Sequence, residues 1–198
     1  VYKRQDFYFV GYFLGLQMLG IYTVAVFVIE AIQKIPDWMG LVLLPKVTSG
    51  QDINGELTHK YAFLSFAYTL FVAVIVLLVY YFNFNYSALL LGDEYKDVDW
   101  LVILLLPRTL LHSIMVIYAS NLSGKGYTLF HPAAGFFAVV ILVGLDSTII
   151  SRYDIYGAIA GIVIAYISAT LVMYLSLIHI SEPTRRTPIS YAVFCLKK

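Results

Sequence analysis

Arg108 and His112 lie inside a long apolar segment, where an ionisable side chain is costly and therefore indicates a function. They occur in "LPRTLLHS" four residues apart, so a helix would present both on one face. Arg108 is eight residues inside Trp100, about 12 Å along a helix. A guanidinium group suits the paired recognition of phosphate oxygens. The alternatives are an Arg108 that extends to the outer headgroups and a His112 that only makes a helix contact.

A second ionisable group occurs in "VIEAIQKIPDWMG". Glu30 and Lys34 have the favourable i, i+4 order, and Asp37 follows three residues later, so all three share one helix face. One interpretation is the polar wall of a water-filled transport cavity. The other is a self-neutralising cluster that only permits membrane insertion. The predicted substrate-binding residues are therefore Arg108, His112, Glu30, Lys34 and Asp37.

The sequence predicts no enzyme, metal site or cofactor. Its one cysteine, Cys195, lies in the terminal segment, and the sequence has no His pair at metal-ligand spacing, no Gly-rich phosphate loop and no nucleophile-elbow serine. His131 is isolated at the start of a predicted helix. We interpret Asp146, near the end of its apolar segment, as an interfacial group rather than an ion site.

The elements that must position these residues are long apolar segments. The chain is 61% hydrophobic with a mean hydropathy of +0.82, beyond the range of a soluble domain. A membrane-spanning helix needs about 20 apolar residues, and these segments are of that order. Barrel strands would be about half as long, with alternating apolar and polar residues, and these segments do not alternate. We predict an all-α fold, a polytopic membrane helix bundle with five full transmembrane helices and one partial helix. The partial helix is Asp6–Gly20, and the full ones are Ile21–Leu44, Ala62–Phe82, Trp100–Ala119, Tyr127–Ile149 and Ile155–Tyr174.

Short connections make neighbouring helices antiparallel, which places the loops Pro45–Tyr61 and Ser120–Gly126 on one side. These two loops hold three lysines, whereas the opposite loops hold one lysine and one arginine. The positive-inside rule therefore favours the first side as cytoplasmic. Glycine pairs four residues apart predict close helix packing, at Gly11 with Gly15 and at Gly157 with Gly161.

The two ends of the chain are inverted copies of one DNA element. "VYKRQ" can be encoded by GTG TAT AAG AGA CAG, whose reverse complement encodes "LSLIH". Continued, this resembles the transposase-type adapter of short-read DNA sequencing. We therefore expect residues 1–5 and 175–198 to be artefacts without a packed role and 6–174 to be the natural fragment. The ends hold six of the 13 Lys and Arg and one of the 12 Asp and Glu residues, so 6–174 carries a net charge of −4 rather than +1 and predicts no nucleic-acid partner.

The order of motifs resembles that of the polysaccharide flippases, the O-antigen and exopolysaccharide exporters of the multidrug/oligosaccharidyl-lipid/polysaccharide superfamily. An Asp-containing helix leads through a Gly-x-Tyr-x-x-Ala turn to a helix ending in Leu-Pro. "LLLGDEYKDVDWLVILLLP" and "IISRYDIYGAIAGIVIAYIS" resemble later segments of the family, although Ser151 replaces the usual proline, the glycine spacing is shifted and Asp146 replaces an asparagine. The residues of the first motif here are Asp6, Gly20, Tyr22, Ala25, Leu44 and Pro45.

The resemblance implies the C-terminal half of a multi-pass protein of the bacterial inner membrane. Its partners would be membrane lipids, the missing N-terminal half and a lipid-linked oligosaccharide that it moves across the bilayer, as in lipopolysaccharide and other polysaccharide biosynthesis. One alternative is a cation-coupled multidrug exporter of the same superfamily. A third hypothesis, from another class, is a membrane-bound polysaccharide polymerase or acyltransferase. The short outer loops argue against that enzyme, because a polymerase is expected to carry a large outer loop.

Overall fold

The computed structural model describes residues 5–52, 54–82 and 86–181, and this part of the chain is helical nearly throughout, without a strand. The predicted all-α class is therefore confirmed. A single turn of 3-10 helix, Asp93–Tyr95, precedes the fourth α-helix. The α-helices are α1 (Gln5–Thr48), α2 (Glu56–Tyr81), the short α3 (Tyr86–Leu91), α4 (Val98–Gly124) and α5 (Phe130–Ser181).

Four of these helices, α1, α2, α4 and α5, are long and apolar enough to cross a membrane, judged by length and composition over the described residues. The predicted count of five full helices and one partial helix is thus not reproduced as separate elements. The difference arises because α1 and α5 are each continuous apart from one residue with non-helical backbone angles, whereas the prediction divided each of these segments into two helices.

In α1 the break lies at Gly15, whose φ of 84° favours glycine. The Tyr22 hydroxyl donates a 2.6 Å hydrogen bond to Asp6, although these residues would be about 24 Å apart along one continuous helix. The chain therefore reverses at Gly15, and residues 5–14 pack against the start of residues 16–48. The predicted boundary at Gly20 was five residues late. The predicted packing role of Gly15 was also wrong, because nothing lies within 4 Å of an added Cβ there.

In α5 the break lies at Asp154, with φ 51° and ψ −134°. Residues on either side of it are in contact. A Cβ added to Gly157 would lie 2.7 Å from the carbonyl oxygen of Ile149, and one added to Gly161 would collide with the Asp146 carboxylate. The chain therefore also reverses here, and the predicted close packing at Gly157 and Gly161 is confirmed.

Helix α4 is the centre of the bundle and packs against α1, α2 and α5. Its two ends belong to two different apolar clusters, one around Val102 and Leu105 and the other around Ile117 and Leu122. Between them α4 carries a run of buried polar side chains. These are Arg108, Thr109, His112 and Ser113. The only strongly polar stretch in the middle of α4 is therefore held between two apolar layers.

The loops after α1 and after α4 lie on the same face of the bundle, as predicted. The Asn121 amide donates to the Asp52 carboxylate at 3.2 Å and to the Thr58 hydroxyl at 2.6 Å. A Cβ on Gly124 would lie 2.8 Å from Val47 Cβ, so the ends of α1 and α4 are in direct backbone-level contact. The sequence analysis did not identify this glycine.

The two terminal segments fall mostly outside the described residues, which exclude 1–4 and 182–198. Within the described part, Leu175–Ile180 continues α5, as an accidentally apolar extension would. The assignment of both ends to adapter DNA stays a prediction.

Candidate functional site

A cavity of about 520 Å³ lies among α1, α4 and α5. This volume is within the range of about 300 to 1,000 Å³ that is typical of small-molecule sites. Most of its wall is apolar or small, with alanines and a glycine from the first part of α5 facing Ile162 and Ala165. The polar and aromatic side chains on the wall are Asp6, Asp37, Arg108, His112, His131 and Tyr166.

Arg108 lies on the cavity wall and is only 4% exposed. One terminal nitrogen, Nη2, is 3.4 Å from the Tyr166 hydroxyl, a long hydrogen bond, and the guanidinium carbon lies 5.0 Å from the centre of the Tyr166 ring. Nε and Nη1 have no hydrogen-bond partner in the described part of the chain. The side chain is buried between helices, which disfavours the alternative of an arginine extended to the headgroups.

A contact between His112 and Asp37 connects the predicted residues of α4 with those of α1. Nε2 of His112 lies 2.9 Å from Oδ1 of Asp37, 75 residues away in the sequence. Helix α1 contributes the carboxylate, and α4 contributes the imidazole one turn beyond Arg108. Both side chains line the cavity. The structure therefore places three of the five predicted residues, Arg108, His112 and Asp37, on one wall.

Glu30 and Lys34 lie elsewhere. Neither belongs to the lining of the cavity, and Lys34 is exposed whereas Glu30 is partly buried. Although their i, i+4 spacing permits an ion pair, the described side chains form none between these two residues within 4.0 Å. The three residues predicted to share one polar face of α1 are therefore not all at the cavity. Of these three, only Asp37 lines it.

Asp6 supplies the acidic neighbour that the helix of Arg108 lacks. Its carboxylate lies within electrostatic range of Arg108 but forms its short hydrogen bond with Tyr22 instead. The reversal of the chain at Gly15 brings Asp6 and Tyr22 together. Sequence reasoning treated both only as parts of a motif, because their contact depends on that reversal.

Asp146 is fully buried, and its two carboxylate oxygens have no hydrogen-bond partner among the described residues. It packs on Gly161 and lies within electrostatic range of Asp6. Its interpretation as an interfacial group was wrong, because the reversal at Asp154 folds the second part of α5 over it. A buried carboxylate without partners must be neutralised or balanced by a cation.

Sequence reasoning also missed Tyr166. Its ring contacts Arg108 and lies 6.2 Å from the His112 ring, centre to centre. A single tyrosine among the 17 of this chain gives no signal in the sequence. A period-based argument could have placed it on the face shared by Ile162 and Ala169, which also line the cavity.

A separate buried carboxylate, Asp99, lies at the beginning of α4, away from the cavity lining. Burial of the Tyr86 hydroxyl and, to a smaller extent, the nearby charge of Asp99 raise the pKa of Tyr86 to about 12. No group of three or more His, Cys, Asp or Glu side chains in the described ranges could hold a metal ion.

The cavity thus combines an apolar wall, a buried guanidinium and a carboxylate–imidazole pair. Such a site could hold the charged group of an otherwise apolar or amphipathic molecule. Comparisons with protein-family models, curated protein sequences and solved structures find no match to this chain.

Proposed function

We propose that this chain is part of a multi-pass transporter of the bacterial inner membrane that moves a lipid-linked oligosaccharide across the bilayer, with Arg108 holding the anionic head group of the substrate. One observation carries the proposal. A guanidinium group is buried in a candidate membrane span, lines a cavity and leaves Nε and Nη1 without partners in the described chain. The resemblance to polysaccharide flippases supports the substrate class.

The proposed transmembrane arrangement is five full spans and one partial span. The reversals at Gly15 and Asp154 support it, since each divides one long apolar helix into two antiparallel parts. In this arrangement residues 5–14 form the partial span. Residues 16–48, α2, α4 and the two parts of α5 form the full spans.

The energetic argument concerns the charge of Arg108. A charged side chain at the centre of a span costs about 3 kcal/mol on insertion scales. A carboxylate one turn away would offset that cost, but α4 has none between Asp99 and its last residue, and Asp6 of α1 accepts no hydrogen bond from Nε or Nη1. A phosphate or pyrophosphate group would supply the missing oxygen atoms, and guanidinium groups bind such oxygens in pairs.

His112 and Asp37 extend the polar part of the wall beyond Arg108. Imidazole and carboxylate groups hydrogen-bond hydroxyl groups, which a glycan head group offers in number. The apolar side chains opposite them fit the lipid portion or the less polar faces of the sugars. We include Glu30 and Lys34 in the substrate path, although they lie outside the lining of this cavity.

The test is glycan export by cells that carry the full-length gene, with the amount of membrane-inserted protein measured in parallel. We expect Arg108→Ala to lose export at an unchanged protein level. Arg108→Lys should also lose most activity, because an ammonium group keeps the charge but cannot reproduce the planar fork. Arg152→Ala is the matched control, since Arg152 is exposed near the reversal of α5 and should retain export.

Wild-type export by Arg108→Ala at an equal protein level would contradict the proposal. Loss of export in the Arg152→Ala control would show that the assay responds to any lost arginine.

A cation-coupled multidrug exporter is the second candidate, and Asp146 is the observation that favours it. A buried carboxylate without hydrogen-bond partners in the described chain could bind a proton or cation that drives transport. Resistance of cells to lipophilic cationic drugs, compared between wild type and Asp146→Asn, tests this candidate. Resistance that depends on Asp146, in cells with no glycan phenotype, would favour the drug exporter.

A further inference from the structure

We propose that Tyr166 is a positioning residue for Arg108, which holds the guanidinium at the cavity wall and leaves Nε and Nη1 for the oxygen atoms of an anionic head group. This inference rests on the proposed role of Arg108 in anion binding.

Two contacts join these residues across the boundary between α4 and α5. The guanidinium carbon is 5.0 Å from the centre of the Tyr166 ring, within the distance of a cation–π contact. Nη2 is 3.4 Å from the Tyr166 hydroxyl. The ring thus lies at cation–π distance, and the hydroxyl adds a long, weak hydrogen bond.

An aromatic ring differs from a carboxylate as a partner for arginine. A carboxylate would neutralise the charge and occupy two N–H donors, so it would compete with a phosphate for the same groups. A ring attracts the cation through its face and uses none of the five N–H donors. Tyr166 can thus fix the side chain without neutralising its positive charge.

Asp6, a carboxylate of α1 within electrostatic range of Arg108, is held by another partner. Asp6 accepts a 2.6 Å hydrogen bond from the Tyr22 hydroxyl, and no hydrogen bond joins it to Nε or Nη1 of Arg108. Asp6 and Arg108 could form an ion pair, but Tyr22 binds the carboxylate and Tyr166 contacts the guanidinium. The consequence is a buried guanidinium that is positioned by a ring and donates no hydrogen bond from Nε or Nη1 to a carboxylate of the described chain.

The experiment measures the binding of inorganic pyrophosphate to the full-length protein in lipid nanodiscs by calorimetry. We expect Tyr166→Leu to weaken binding about tenfold, a factor between those of an exposed and a fully desolvated cation–π contact. Tyr166→Phe keeps the ring and should stay within about twofold of wild type, because the lost hydrogen bond is long. Tyr153→Leu, which removes an exposed tyrosine of the same helix, should bind like wild type.

A double variant separates positioning from general damage. If Tyr166 acts through Arg108, Arg108→Ala/Tyr166→Leu should bind no more weakly than Arg108→Ala alone. A further loss in the double variant would overturn the inference. If Tyr166→Leu does not give folded protein, Tyr166→Met, which fills the space without a ring face, takes its place.

The outcomes also distinguish the two proposals. Unchanged affinity in Tyr166→Leu, together with lost binding in Arg108→Ala, would overturn the positioning role and leave the proposed function standing. Unchanged affinity in both variants would refute anion binding by Arg108 itself, and the positioning role with it.

Discussion

The middle and the end of α4 both bury polar side chains, but these side chains differ in how many hydrogen bonds they form. Near the end, Asn121 belongs to a cluster with Asp52 and Thr58 that we call the loop lock. Its Asp52 carboxylate accepts hydrogen bonds from the backbone amides of Leu57 and Thr58, from the Thr58 hydroxyl and from the Asn121 amide. In the middle, Arg108 has one long hydrogen bond to Tyr166.

This difference in hydrogen bonding suggests different roles for the two regions. A buried carboxylate with four donors keeps most of the hydrogen bonding that it had in water. Two of these donors are backbone amides in the first turn of α2, so the loop lock also caps that helix. A buried guanidinium with two unpartnered nitrogens, counted over the described residues, keeps a cost that the fold does not offset. The loop lock should therefore support stability, and the middle of α4 should support binding.

The largest effect should come from removing the acceptor of the loop lock. Asp52→Ala leaves several buried donors unpaired, and we expect it to lower the free energy of unfolding by about 3 kcal/mol. Denaturation in mixed detergent micelles measures this, with the exposed Asp93→Ala as the control. A loss no larger than that of the control would remove the distinction between the two regions of α4.

Asn121→Ala should destabilise less, by about 2 kcal/mol, because Asp52 keeps its other three donors. If the lock acts as one network, the double variant Asp52→Ala/Asn121→Ala should lose clearly less than the sum of the two single losses. The same denaturation experiment on all three variants gives the coupling. Strict additivity would mean that the two side chains stabilise the protein independently.

Arg108→Met should change stability in the opposite direction. Methionine keeps an unbranched apolar stem, and replacing a poorly compensated buried charge often stabilises a protein, here by about 1 kcal/mol. Export should be lost while the unfolding free energy rises. A destabilisation as large as that of Asp52→Ala would place Arg108 among the structural residues.

Asp146→Asn should have the smallest effect on stability. The amide has nearly the volume of the carboxylate and carries no charge, so we expect the unfolding free energy to change by less than about 1 kcal/mol. Denaturation with Asp97→Asn, an exposed substitution, as the control checks it. A loss of several kcal/mol would mean that Asp146 has a structural partner and belongs with the loop lock in the comparison.

The sequence by itself determined the helical class of the fold and indicated part of the candidate site. Long apolar segments without period-2 alternation predict helices rather than strands, because a helix bonds its backbone groups within its own segment. Short connections placed the loops after α1 and α4 on one face. The i, i+4 spacing placed Arg108 and His112 on a common face, because an α-helix has about 3.6 residues per turn and residues four apart are neighbours on its surface.

Only the tertiary structure decided which faces meet and where the chain reverses. It paired His112 with Asp37, placed Tyr166 against Arg108 and brought Asp6 to Tyr22. These contacts join residues 16 to 75 positions apart. In a segment that is apolar all round, the hydrophobic pattern does not show which side faces lipid and which faces protein, because lipid is as apolar as leucine. The packing is decided by small residues and buried polar contacts. Their partners lie on other helices, so the sequence of one segment does not reveal them.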